Sequence, residues 1–244
     1  MSITQGQPAA QIVRPGESDW FSALHGSGGF GVVTAMELRL YPLTQVYAGL
    51  LWWPMHAAPR VLPAWRELTH SGVPDQFTTA LRLTRFPALP EIPGPVRGRW
   101  FVVVSMVTTC SAAESDEILR PLRALAPSRD TIATIPAGEL GQLQIAFGPS
   151  APGVGDGLML AGLPRDAVAE LLRAAGPDTL SLLTTVELRH LARPGNGALA
   201  ATDGEYALFA AGRAPTPAAA SAVWMGARAV TSAMRPWSVP PAAL

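Results

Sequence analysis

The chain has 244 residues, 48% of them hydrophobic and 15% charged, with 18 basic residues balancing 18 acidic ones. That length and apolar content bury a sizeable core in one large or two small domains, and the zero net charge argues against a nucleic-acid groove or an acidic tail, each of which concentrates one sign. A single cysteine, Cys110, excludes an internal disulfide and a cysteine-clustered metal site. No run of about twenty apolar residues offers a membrane span. Residues 1–14 have no basic start leading into an apolar core, so no secretory leader is expected and a cytoplasmic location is.

In chain order, residues 1–18 read as an irregular arm. The stretch 19–42, DWFSALHGSGGFGVVTAMELRLYP, follows as a glycine-rich turn feeding a strand over 32–42. In that strand Val32, Thr34, Met36, Leu38 and Leu40 share one face, and Val33, Ala35, Glu37 and Arg39 the other. A strand at 46–53 leads into a helix at 60–71 with the stripe Val61, Leu62, Trp65 and Leu68. Residues 77–84 alternate as Phe77, Thr79, Leu81, Leu83 against Thr78, Ala80, Arg82, Thr84, again a strand. A loop with four prolines separates it from an apolar strand at 100–109. Ser111 and Glu114 have the spacing of a capping box for the next helix, in which Pro121 is expected to force a kink or a division.

Residues 136–162 are weakly patterned, with a short helix at 139–147 and then a glycine-rich loop, PSAPGVGDG. Beyond it come a helix at 164–175, strands at 180–191 and 205–211, and a helix at 217–234. The ending RPWSVPPAAL is expected to be irregular because its prolines stop a helix. The paired strands favour an α+β fold: a mixed, largely antiparallel sheet packed against helices.

GSGGFG at 26–31 is literally G-x-G-x-x-G, yet no strand precedes it and a strand follows it. A dinucleotide fingerprint needs the helix N-terminus that receives the pyrophosphate. Neither His56 nor His70 has acidic neighbours at ligand spacing, and no metal site is expected. Cys110 reads as a core or interface thiol. Trp52, Trp53, Trp65, Trp100 and Trp224 read as core, with Trp52 or Trp53 also suited to lining a flat cleft.

The segment at 19–43 resembles the end of the flavin-binding domain in FAD-linked oxidoreductases of the berberine bridge enzyme and oligosaccharide oxidase type, whose members carry DLFWALRGGGGNFGVVT before a strand and HP. ILRPLRALAPSRD at 118–130, VELRHLARPGNGALA at 186–200 and EYALFAAG at 205–212 extend the resemblance. It implies that 19–44 is the end of a flavin domain and 45–234 a substrate-side domain, with 235–244 a tail. It also implies hydride transfer from an alcohol, sugar or phenolic substrate to FAD, with Gly26, Gly28, Gly29, Phe30 and Gly31 on the cofactor side. GSGGFG lacks one residue and the asparagine of the family pattern. His25 stands where an arginine is common and is not the flavin-linked histidine, which lies upstream in the family. Within that chemistry Glu187 and His190 are the catalytic candidates, with Glu187 and Arg189 on one strand face and Thr184 and His190 on the other. The chain alone is not expected to retain FAD. Its expected partners are a small-molecule substrate and either a second copy or a complementary flavin-domain chain, with no nucleic acid or membrane. A non-catalytic α+β interaction module is the alternative reading.

Overall fold

The computed structural model of the protein describes residues 32–145, 148, 150–179, 182–191 and 204–239. Two compact units divide the chain: Met1–Leu40 with Pro194–Thr202 and Ala242–Leu244, and Tyr41–Arg193 with Asp203–Pro241. Of the first, only 32–40 is described. It contains no strand, and Val32, Val33, Met36, Leu38 and Leu40 are exposed. The strand expected over 32–42 is therefore not formed there. Alternating side chains make a strand only when a neighbouring edge takes up the backbone N–H and C=O groups. The arm at 1–18 and the glycines at 26–31 lie outside the described residues.

The second unit holds one eight-stranded sheet. Its strands are β1 (Gln45–Pro54), β2 (Phe77–Arg85), β3 (Trp100–Thr108), β4 (Arg129–Asp130), β5 (Ala133–Pro136), β6 (Gly153–Leu160), β7 (Thr185–His190) and β8 (Tyr206–Arg213). They lie in the order β4-β1-β3-β2-β7-β8-β6, with β5 also on β1, and every described pairing is antiparallel. Four helices, α1 (Ala58–His70), α2 (Ala112–Arg123), α3 (Arg165–Ala175) and α4 (Pro217–Met234), complete the α+β fold. Each sends buried side chains into the same core as one face of the sheet.

Local chemistry explains the helix ends. Ser111 Oγ accepts from the Glu114 amide at 3.2 Å, as the capping-box spacing required, and Thr216 Oγ1 accepts from the Ala219 amide at 3.2 Å. Pro121 does not divide α2. It sits in the last turn, where the helix ends two residues later.

The covered face contributes Leu51 and Trp53 from β1, Val102, Val104 and Met106 from β3, Phe77, Leu81 and Leu83 from β2, Val186 and Leu188 from β7, and Tyr206, Leu208 and Ala210 from β8. Trp65 of α1 is fully buried against them, and its indole N–H donates to Thr79 Oγ1 at 3.0 Å. The hydroxyls of Thr69 and Tyr206 meet at 2.7 Å. Arg85, also buried, donates to the carbonyls of Ala175, Gly176 and Thr179, the acceptors left over at the end of α3. Its guanidinium lies 4.5 Å from the centre of the Trp100 ring. Trp100 and Trp224 are themselves partly exposed rather than core residues.

The segment 136–162 folds differently from its expected form. A 3-10 turn occupies Ala137–Leu143, and the glycines of PSAPGVGDG enter β6 rather than a loop. Glycines at every second position weaken the apolar alternation by which a strand is recognised. The short β4 and β5 carry too few residues to show a period. The tail is described as far as Val239. Arg235–Trp237 forms a 3-10 turn and the Val239 amide donates to Met159 O at 3.0 Å.

Candidate functional site

Strand alternation that sends apolar side chains to the helices sends a different set to the other face of the sheet. Register gives that face as rows. One row runs Arg129, Trp52, Val103, Arg82, Glu187, Phe209, Gly157 across seven strands. On one side of it lies Pro54, Phe101, Thr84, Thr185, Ala211, Gly155. On the other lies Leu50, Ser105, Ala80, Arg189, Ala207, Met159.

At the centre is Glu187, whose side chain is only 7% exposed. Its Oε1 accepts from Arg82 Nη2 at 2.8 Å and from Arg189 Nε at 3.0 Å, and its Oε2 from Arg189 Nη2 at 3.2 Å. Arg82 also donates to Ser105 Oγ at 3.3 Å. A carboxylate this buried needs such compensation, and two guanidiniums supply it. The carboxylate in turn raises the Arg189 guanidinium further above its ordinary value by direct hydrogen bonding.

Aromatic side chains flank the charged centre on both sides. Towards β1, Trp52 stacks on Phe86 at 6.2 Å and meets Phe101 edge-on at 5.6 Å. Phe86 opens the proline-rich loop 86–99, which closes on itself through Phe86 N to Arg99 O at 3.0 Å and Gly98 N to Pro87 O at 3.3 Å. Gly98 has φ +65°, a conformation that suits glycine. Towards β6, Phe209 lies across the glycines of the edge strand. A Cβ at Gly155 would come within 2.9 Å of the Phe209 ring and of Ala210 O. The Phe209 ring therefore fills the space that side chains at Gly155 and Gly157 would take.

Three buried polar atoms on this face have no hydrogen-bond partner among the described residues: Trp52 Nε1, Thr84 Oγ1 and Thr185 Oγ1. Unmet donors and acceptors are rare in a finished interior. The covered face has His190 Nδ1 in the same condition.

Of the two sequence candidates for catalysis, Glu187 is on the open face. His190 is on the covered face, its ring 5.4 Å from that of Tyr206, and burial pushes its imidazole below the ordinary value while the Glu205 carboxylate opposes the change. The structure does not bring the two together. Gly26, Gly28, Gly29, Phe30 and Gly31 lie outside the described residues. Sequence reasoning missed Arg82, Phe209 and the β6 glycines as companions of Glu187. Their strand parity was readable, but the pairing of β2, β7, β8 and β6 was not. Among the described residues no group of three His, Cys, Asp or Glu is placed to hold a metal, and no helix is long and apolar enough to cross a membrane.

No protein-family model matches the chain. The FAD-linked oxidoreductase aurO of Gibberella zeae is 35% identical over 71 residues, 29% of this chain and 14% of that protein. A variant of berberine bridge enzyme superposes with TM-score 0.65 at 14% identity, covering 93% of this chain and 48% of that one. Wild-type BBE-like 1 of Physcomitrella patens gives 0.59 at 10% identity, over 80% and 44%. Aclacinomycin oxidoreductase gives 0.56 at 13%, over 80% and 42%. The chain thus spans less than half the length of each of these proteins. It has the α+β fold of the corresponding part of berberine bridge enzyme-like FAD oxidases and resembles FAD-linked oxidoreductases in sequence.

Proposed function

We propose that this chain provides the substrate side of an FAD-dependent oxidoreductase that removes hydride from an alcohol, sugar or phenolic substrate. The observation that carries the reading is the sheet face turned away from the helices: a clamped carboxylate, aromatic flanks and a glycine strip that seats Phe209, in a fold shared with FAD-linked oxidases. Its unpaired Trp52, Thr84 and Thr185 atoms and its guanidiniums suit a planar polar ring system, so the residues present are compatible with a flavin environment. Bound FAD supplies the redox chemistry by accepting the hydride.

The protein's own part is orientation and proton handling. Oε1 of Glu187 already takes two guanidinium hydrogens and Oε2 one, which leaves an acceptor position on Oε2 for a substrate hydroxyl. Arg82 and Arg189 hold the carboxylate in place. His190, on the covered face, packs β7 against Tyr206 and has no part in the proton transfer. Gly26, Gly28, Gly29, Phe30 and Gly31 are assigned to close backbone approach to the cofactor, and a complementary flavin-binding half, in the same polypeptide or in a second chain, completes the enzyme.

The test is an FAD titration of the 244-residue chain followed by flavin fluorescence, with a parallel gel-filtration run. The expected result is saturable quenching that a Gly28→Val, Gly29→Val double variant abolishes, together with loss of flavin from the chain on gel filtration. Absence of saturable quenching removes the oxidoreductase reading for this chain and favours a non-catalytic interaction module.

A further inference from the structure

The chain as a whole is neutral, yet its charges are unevenly placed. At the centre of the open face two guanidiniums, Arg82 and Arg189, meet one carboxylate, Glu187, so two positive charges less one negative leave one positive. A single carboxylate shared between Arg82 and Arg189 neutralises only one of that central pair. Such an excess on a partly desolvated surface repels itself and favours an anion.

A second observation fixes the kind of anion. Phe209 is the cross-strand neighbour of Glu187, and Arg189 lies one same-face position further along β7, beside Ala207. Same-face positions on a strand are about 7 Å apart. A ring laid on the exposed side of Phe209 therefore brings a substituent on that ring within reach of the Arg189 guanidinium, whose side chain is 63% exposed. The Phe209 ring, 46% exposed, offers apolar contact to the ring portion.

We propose that the substrate of this face is a ring-bearing carboxylate, its ring on Phe209 and its carboxylate paired with Arg189. The inference deepens the substrate-site reading above and rests on it. Arg189 is a specificity residue under this assignment, and Glu187 sets its orientation through Nε and Nη2, leaving Nη1 to face the ligand.

Isothermal titration of the full chain, in low salt and without flavin, tests the assignment with 2-naphthoate, the neutral 2-naphthalenemethanol and ringless acetate. Naphthoate should bind at least about tenfold more tightly than either, and the margin should shrink as salt is added. Arg189→Ala should bring naphthoate and naphthalenemethanol to within about twofold of each other, Arg189→Lys should keep part of the preference, and Phe209→Ala should weaken both ring compounds. Glu187→Gln should tighten naphthoate, because it removes the competing anion. Circular dichroism of each variant confirms folding. Equal affinity for the charged and neutral ring compounds, acetate as tight as naphthoate, or an unchanged preference in Arg189→Ala overturns the proposal. Because no flavin is present, naphthoate selectivity without FAD quenching would remove only the oxidoreductase reading, and quenching without selectivity only this one.

Discussion

The two faces of the one sheet are built to opposite rules. Towards the helices, nearly every polar group is paired: Trp65 with Thr79, Thr69 with Tyr206, Arg85 with three carbonyls of the α3 end. Towards the open side, Arg82, Glu187 and Arg189 form an ion cluster, and Trp52, Thr84 and Thr185 hold buried polar atoms without partners. A surface that only had to be stable would not keep these features, because partial satisfaction costs more than an apolar substitute. The comparison teaches that stability is concentrated on one side of the strands and incompletely paired polar groups on the other, although alternate residues of the same strands build both.

Substitutions can break that division. The largest effect is expected for Trp65→Ala, which empties a fully buried site and leaves Thr79 Oγ1 only its bond to Ser105 O, and should cost about 3–5 kcal/mol in urea unfolding. Gly155→Val is the exception on the open face, with an expected cost of about 1–3 kcal/mol. Adding Phe209→Ala should recover only part of it, since Ala210 O also stands 2.9 Å from the new Cβ.

His190 gives the covered face a pH dependence. Burial holds its folded-state value below the unfolded one, so on acidification the unfolded chain takes up the proton first. Its contribution is full above the ordinary imidazole value of about 6.5 and is lost as pH falls below it towards the depressed value. His190→Leu should flatten stability between about pH 7 and 5, and an unchanged slope would assign the dependence elsewhere. Arg189→Ala leaves the buried Glu187 carboxylate with Arg82 alone, so it should cost about 1–3 kcal/mol while also changing ligand selectivity.

Much of this division was legible in the residues. β2 declared both faces, and the stripe of α1 named side chains that it buries. The resemblance to FAD-linked oxidoreductases anticipated the fold. What stayed hidden was long-range: that Arg82 of β2 meets Glu187 of β7 across more than a hundred residues, and that Phe209 lies over glycines from a segment that reads as a loop. Segment 32–42 shows the converse, since perfect alternation there makes no strand at 32–40. Period describes what a segment is able to pair with, and only a partner turns that into structure.

The glycines of β6 also bear on how that strand finds its place. With Gly153, Gly155 and Gly157 bare on one side and Met159 the one side chain beside them, Val154, Asp156, Leu158 and Leu160 carry most of what can tell one alignment with β8 from another. Among these, Asp156 alone is polar, and Thr231 of α4 donates to it at 2.7 Å. A two-residue slip would keep aliphatic contacts but carry the carboxylate away from that hydroxyl and from Arg228 Nη1 at 3.6 Å, so this one side chain acts as the alignment mark between the edge strand and the last helix.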